Sequence, residues 1–207
     1  MKKNPTKQNV IDAASSLFFQ HGFHGTSVRD IAAKANVNVS LISYYFNSKQ
    51  GLLEYAVTQY YETYLETIEA SMQQNKSLAP LHQLKNIVAD IIQYKQENYQ
   101  LSCFIHRELS LDSVFVREVT VTYLAKENYL ISHAFYAIFD GKKRHQQKQF
   151  FLMQLKGMLV TPYVMRNEWK DQVIGDFSHQ QFVKHYTQTV EKWLDFVVWQ
   201  ENTQSIK

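Results

Sequence analysis

Over residues 10–53 the chain alternates short apolar-periodic segments with turn residues so closely that few folds can accommodate it. The stretch reads VIDAASSLFFQHGFHGTSVRDIAAKANVNVSLISYYFNSKQGLL. Val10, Ala13, Ala14, Leu17 and Phe18 recur at i, i+3, i+4, i+7 and i+8, the buried face of an amphipathic helix. Gly22 and Gly25 bracket a turn. Thr26 and Ser27 then offer side-chain oxygens to the free N–H groups of a second helix, and Asp30, three residues after Ser27, completes a capping box. Val28, Ile31, Ala32 and Ala35 form its inner face, small enough for another helix to cross close by. Asn36-Val37-Asn38 has room only for a tight turn, with Asn36 suited to a left-handed conformation and Asn38 to capping the next helix, Val39–Phe46. Two helices joined by a turn of three or four residues form the supersecondary unit that reads DNA.

The rest of the chain extends the helical reading. Among 207 residues there are six Gly and three Pro, and no Gly/Ser-rich linker. Long 3.6-period stretches with so few breakers predict an all-α protein of about nine helices. It divides into an N-terminal three-helix helix-turn-helix domain, 1–47, and a helical core and dimerisation domain, 48–207. A long helix is expected to reach Gln74, with a break over 75–79 and a new helix opened by Pro80, whose inner face is Leu84, Ile87, Val88, Ile91 and Ile92. Further helices are expected over 98–109, 113–141 and 145–166, the last kinked at Pro162, and a final one from Asp176 or Ser178. Hydrophobic residues make up 45% of the chain, enough for a sizeable core. One cysteine, Cys103, permits no internal disulfide and suits a reducing compartment. The N-terminus lacks the apolar run of a secretory signal, and no segment approaches a membrane span. A cytoplasmic, nucleoid-associated protein is expected.

The residues that build the first three helices also carry a resemblance. Ala14, Leu17, Phe18, Gly22, Phe23, Thr26, Ser27, Val28, Ile31, Ala32, Ala35 and Val37, followed by Tyr44, Tyr45, Phe46, Ser48, Lys49, Leu52 and Leu53, resemble the DNA-binding domain of the TetR family of bacterial regulators. The resemblance covers about the first quarter of the chain. It departs from the usual pattern at Asn36, Ser40 and Ser43, all at or near the DNA-reading surface, so the operator sequence is not transferable from relatives. It implies a homodimer held by the last two helices. Phe151, Leu155, Met158, Phe182, Tyr186, Val190, Trp193 and Val197 are the expected interface residues, since helices apolar over more than one stripe need cover on both sides.

Charge is uneven in a way that fits a nucleic-acid partner. Residues 1–50 hold six Lys and Arg against two Asp, a net +4, while the whole chain carries +3. The basic excess therefore lies on the module that would meet phosphate. Double-stranded DNA is the expected partner. Thr26, Ser27, Arg29, Asn38, Val39, Ser40, Ser43, Tyr44, Tyr45 and Lys49 are the candidate contacts, with Arg29 and Lys49 assigned to phosphate and Tyr45 favoured for packing. Leu41, Ile42 and Phe46 are expected to point inward. Two recognition helices related by a two-fold axis would read half-sites about one helical turn, roughly 34–36 Å, apart.

An enzyme is not expected. The chain has no glycine-rich phosphate loop, no G-x-S-x-G, no H-E-x-x-H and no CxxC, so neither a cofactor nor a metal is assigned. Two outputs remain. The strings RELSLDSVFVREVTVTYLAKENY and QLKGMLVTPY resemble TetR-like regulators of spore-forming bacilli tied to the tubulin-like division protein FtsZ. That resemblance implies FtsZ as a partner and a role in cell division and sporulation. Arg107, Arg117 and Glu118 lie among alternating charges and are the candidate docking residues. The alternative is a ligand-gated repressor in which Tyr94, Tyr99, Phe104, Tyr123, Phe135 and Phe151 line a pocket. A tightly packed core favours the first output, and a cavity with convergent polar groups the second.

Overall fold

Proline is tolerated at the first position of a helix, where its missing N–H would have no partner, and the first helix opens on Pro5. A computed structural model describes residues 5–108, 114–139, 145–164 and 178–204. Helix α1 (Pro5–His21) buries Val10, Ala14 and Phe18 and ends at Gly22, whose φ of +75° suits a glycine. Helices α2 (Val28–Ala35) and α3 (Val39–Phe46) follow, then α4 (Lys49–Gln74), α5 (Pro80–Glu97) and α6 (Tyr99–Glu108). Beyond them lie α7 (Val114–Val119), a π-helical turn over Thr120–Leu124, α8 (Ala125–Tyr136), α9 (His145–Val164) and α10 (His179–Gln204). The described residues contain no strand, as an all-α protein requires. No helix among them is long and apolar enough to cross a membrane.

The chain forms two compact units. The first comprises Met1–Thr63 and Asn98–Leu111. Here α6 returns from later in the sequence to pack on α1. Phe104 stacks on Phe18 with ring centroids 5.3 Å apart, Tyr99 meets the edge of Phe19 at 5.9 Å, and the Tyr60 and Ser102 hydroxyls pair at 2.9 Å. The second unit comprises Tyr64–Glu97 and Asp112–Lys207. The division differs from the expected 1–47 and 48–207 at both points: α4 gives residues 49–63 to one unit and 64–74 to the other, and α6 joins the DNA-reading helices. An unbroken row of buried residues from Leu52 to Ile68 leaves no compositional mark of the division within α4.

In the second unit α5 is the hub, with Leu84, Ile87, Val88, Ile91 and Ile92 all buried and α10 packed along it. Lys85 on α5 pairs with Asp195 on α10 at 2.6 Å. Five of the eight expected interface residues pack within the single chain. Leu155, Val190 and Val197 are fully buried within the single chain, and Phe151 and Phe182 are nearly so. The chain's own helices thus cover part of that stripe, and Met158, Tyr186 and Trp193 stay half-buried. Trp193 meets the edge of Phe151 at 6.3 Å, while Tyr186 stacks on Phe182 and donates a hydrogen bond to the Met158 carbonyl at 2.7 Å. What stays uncovered is a different set: Phe150, Met153 and Val164 on α9, and Phe196 and Trp199 on α10.

The stretch expected as one helix over 113–141 is helical without a break from Val114 to Tyr136, but it is not α-helical throughout. Val119, Thr120, Val121 and Thr122 are four β-branched residues in a row, and the winding loosens to a π turn there before α8 resumes. The basic turn over 141–144, Asp112, Ser113, Met165, Arg166 and Asp176 lie outside the described residues. Ser178 opens α10 through a reciprocal cap: its Oγ accepts from the Gln181 backbone N–H at 3.3 Å, and Gln181 Oε1 accepts from the Ser178 backbone N–H at 2.9 Å.

Candidate nucleic-acid interface

The recognition helix is set by its two ends. Asn36 caps α2 in the left-handed conformation, φ 53° and ψ 49°, as a tight turn needs. Asn38 caps α3, its Oδ1 accepting from the Ser40 backbone N–H at 2.9 Å and from Ser40 Oγ at 2.8 Å. At the far end Asn47 carries a positive φ of 64° and returns its N–H to the Ser43 carbonyl at 2.9 Å. Ser48 then caps α4, accepting from Gly51 N–H at 3.0 Å. A Cβ on Gly51 would lie 2.2 Å from the Phe46 carbonyl oxygen. Glycine is therefore required where α3 turns into α4. The sequence carried a signal for this, a glycine in the first turn of an otherwise good helix former.

Between these ends α3 divides cleanly. Ile42 and Phe46 are buried and Leu41 is half-buried, as the spacing predicts. Asn38, Val39, Ser40, Ser43 and Tyr44 are exposed, Tyr44 at 78%. Tyr45 is half-buried, its ring 5.2 Å from Tyr44 and 6.1 Å from Phe46. No Lys, Arg, Asp or Glu lies on α3. Such a face can offer hydroxyls, an amide and apolar contacts to base edges, but not the bidentate guanidinium pair that reads guanine.

The flanking residues divide into free and committed groups. Ser27 caps α2, its Oγ accepting from the Asp30 backbone N–H at 3.2 Å, and its N–H and hydroxyl both donate to the Asp30 carboxylate at 2.9 and 2.6 Å. Those two bonds hold the Asp30 pKa below the ordinary value. Arg29 is exposed on the first turn of α2, and Lys34 on its last. Two of the expected contacts make bonds within the chain. Thr26 is buried and donates inward to the Gly22 carbonyl at 2.8 Å, stabilising the turn before α2. Lys49 donates to the Phe23 and Thr26 carbonyls, both at 2.7 Å, with its ammonium 4.3 Å from the centre of the Phe23 ring. It fastens α4 to that turn with two of its three N–H donors. Lys7, not singled out from the sequence, lies 3.7 Å over the Tyr55 ring. Lys2 and Lys3 fall outside the described residues.

The three candidate docking residues fall in different units. Arg117 and Glu118 are exposed on α7 in the second unit, alongside Val114 and Val121, the latter 77% exposed. Arg107 belongs to the first unit, where its guanidinium donates to the carbonyls of Phe18 and Phe19. The expected pocket residues are divided in the same way. Tyr99 and Phe104 pack in the first unit; Tyr94, Tyr123, Phe135 and Phe151 lie in the second. A surface groove of about 530 Å³ in the second unit is lined by Asn128, Tyr129, Ser132, His133, Tyr136 and Ala137, none of them expected. Among the described residues no group of three or more His, Cys, Asp or Glu side chains could hold a metal ion.

Known proteins match this arrangement. Residues 10–56 match the bacterial regulatory proteins of the tetR family. The probable HTH-type transcriptional regulator YttP of Bacillus subtilis (strain 168) is 37% identical over 197 residues, 93% of each chain. A TetR-like transcriptional regulator from Rhodococcus sp. RHA1 superposes with a TM-score of 0.67 at 18% identity, over 93% of this chain and 96% of that one. FadR from Bacillus subtilis in complex with stearoyl-CoA does so with 0.63 at 16% identity, over 87% and 95%. These last two likenesses show the fold. The capped recognition helix, the family match over the helices that present it and a relative spanning nearly the whole chain establish that this chain belongs to the TetR family of DNA-binding transcriptional regulators.

Proposed function

We propose that the chain binds a pseudo-palindromic DNA site as a homodimer on the nucleoid and regulates cell division through a protein partner, FtsZ. The outward residues of α3, with Ser27 and Arg29, are the proposed DNA contacts: base edges for Asn38, Val39, Ser40 and Ser43, phosphate for Arg29 and the Tyr44 hydroxyl. The uncovered stripe of Phe150, Met153 and Val164 with Phe196 and Trp199 is the proposed subunit interface. Gly157 lies on that stripe with nothing within 4 Å of where a Cβ would be, so a second helix can approach closely.

The observation that carries the partner reading is the exposed face of α7, the π turn and α8. Val114, Arg117, Glu118, Val121 and Tyr129 recur along it at near-helical spacing, all exposed. Large apolar side chains and charges of both signs on one solvent face suit a protein partner better than plain solvation. The same segment carries the resemblance to RefZ, the FtsZ-linked regulator, and FtsZ is proposed on that basis. Reversing charge there, as in Arg117→Glu, should abolish the cellular effect of overproduction on division while DNA affinity stays intact. The free protein should keep its helical circular dichroism, since Arg117 is exposed. Unchanged cellular activity in Arg117→Glu and Glu118→Lys defeats the docking proposal.

One observation favours a ligand-gated repressor as a second reading. Lys95 is fully buried in the second unit, where it donates to the Leu159 carbonyl at 3.2 Å and lies 4.0 Å from the Glu127 carboxylate, a counter-ion that an anionic effector would have to replace. Stearoyl-CoA, the ligand in the FadR complex, is a direct probe. Its failure to alter DNA affinity at saturating concentration counts against a fatty acyl effector.

A further inference from the structure

Arg107 is the one candidate docking residue that the structure places among the DNA-reading helices, and its contacts there are specific. Helix α1 ends at His21 with the negative end of its dipole at the turn, and its Phe18 carbonyl, which accepts from the Gly22 N–H at 2.9 Å, keeps a second lone pair for another donor. From α6, 88 and 89 residues away in sequence, Arg107 Nη2 donates to the Phe18 carbonyl at 2.8 Å and Nη1 reaches the Phe19 carbonyl at 3.4 Å. A planar fork of donors fits two successive carbonyls in a way that an ammonium does not. The guanidinium lies 5.5 Å from the centre of the Phe104 ring, and Phe104 stacks in turn on Phe18. The same two helices are therefore joined by a polar clamp and an apolar stack one turn apart. Nη2 is also 3.9 Å from where a Cβ of Gly22 would be, against the turn that leads into α2.

We infer that Arg107 is a positioning residue for DNA reading: by capping α1 from α6 it fixes the turn over 22–27, and through α2 the orientation of α3. This rests on the DNA-binding reading above and replaces the docking role the sequence suggested for Arg107. A clamp of this kind acts on the geometry of the reading helices, not on the number of phosphates touched. Its loss therefore lowers affinity for the matched sequence far more than for DNA in general.

The test starts by selecting duplexes from a random-sequence pool with the wild-type protein. Affinity for the enriched duplex and for a scrambled one is then measured by fluorescence anisotropy across a salt series, for wild type, Arg107→Ala and Arg107→Lys. Arg107→Ala should bind the enriched duplex about tenfold more weakly and the scrambled one within about twofold, with the salt slope unchanged. Arg107→Lys, which keeps the charge but only one donor nitrogen, should lose about threefold. If Arg107→Ala fails to fold by circular dichroism, the lysine variant decides on the same criteria. A salt slope reduced by about one per dimer half assigns Arg107 to phosphate and overturns the inference. Unchanged affinity for the enriched duplex overturns it as well. A wild-type protein that enriches no sequence defeats the DNA-binding reading itself, and the inference with it.

Discussion

Arg29 and Lys49 look alike in the sequence, each a cation near the start of a helix beside the reading surface. In the structure the Lys49 ammonium is held by two carbonyls and a ring, whereas Arg29 is exposed on α2. Arg29→Ala should therefore flatten the salt dependence of DNA binding by about one counterion per dimer half. Lys49→Ala should leave that slope unchanged and lower thermal stability, because two turn carbonyls lose their donor. Equal slopes for both variants would refute the distinction. Asp30 gives a pH signature of the same module. Its carboxyl has a lower pKa folded than unfolded, so the stabilisation is complete above the ordinary value of 3.8 and fades as pH falls through the depressed one. Asp30→Asn should make denaturant stability flatter with pH below that point. The change should be confined to the acid limb.

At the scale of the helix, local signals were legible and long-range ones were not. The ends of α3, the start of α5 at Pro80 and the limit of α4 at Gln74 agree with the sequence because caps, prolines and turn residues act within a few positions. The placement of α6 on α1 was not legible, since nothing in residues 99–108 names a partner some eighty positions earlier. The same holds within α9. Pro162 supplies no N–H to the Met158 carbonyl four residues back, and the Tyr186 hydroxyl takes that carbonyl at 2.7 Å. The Leu159 carbonyl accepts from Lys95 at 3.2 Å. A proline in the sequence announces a vacancy but not what fills it. Burial raises the Tyr186 pKa to about 12, so the phenol remains a donor throughout the physiological range. Tyr186→Phe should cost about 1–3 kcal/mol in urea unfolding, the penalty of a carbonyl left without its donor. A cost near zero would mean that solvent replaces the hydroxyl.

For the whole molecule, the proposed homodimer needs an apolar surface that a second copy would cover. Apolar periodicity marked α9 and α10 as needing cover on more than one side, but could not separate the face that α5 takes from the face left over. The structure separates them: Val197 is fully buried inside one chain, while Trp199, two positions later, is 62% exposed. The two sites should respond differently to the same insult. Val197→Glu places an unpaired charge in a packed core and should unfold or aggregate the protein. Trp199→Glu leaves the core intact, so the chain should keep its helical circular dichroism yet run as a monomer by light scattering at micromolar concentration. Because two recognition helices must engage two half-sites, that monomer should lose operator affinity by orders of magnitude while each reading head stays folded. A wild-type monomer, or a Trp199→Glu dimer indistinguishable from wild type, would remove this stripe from the interface and direct the search to the α7–α8 face.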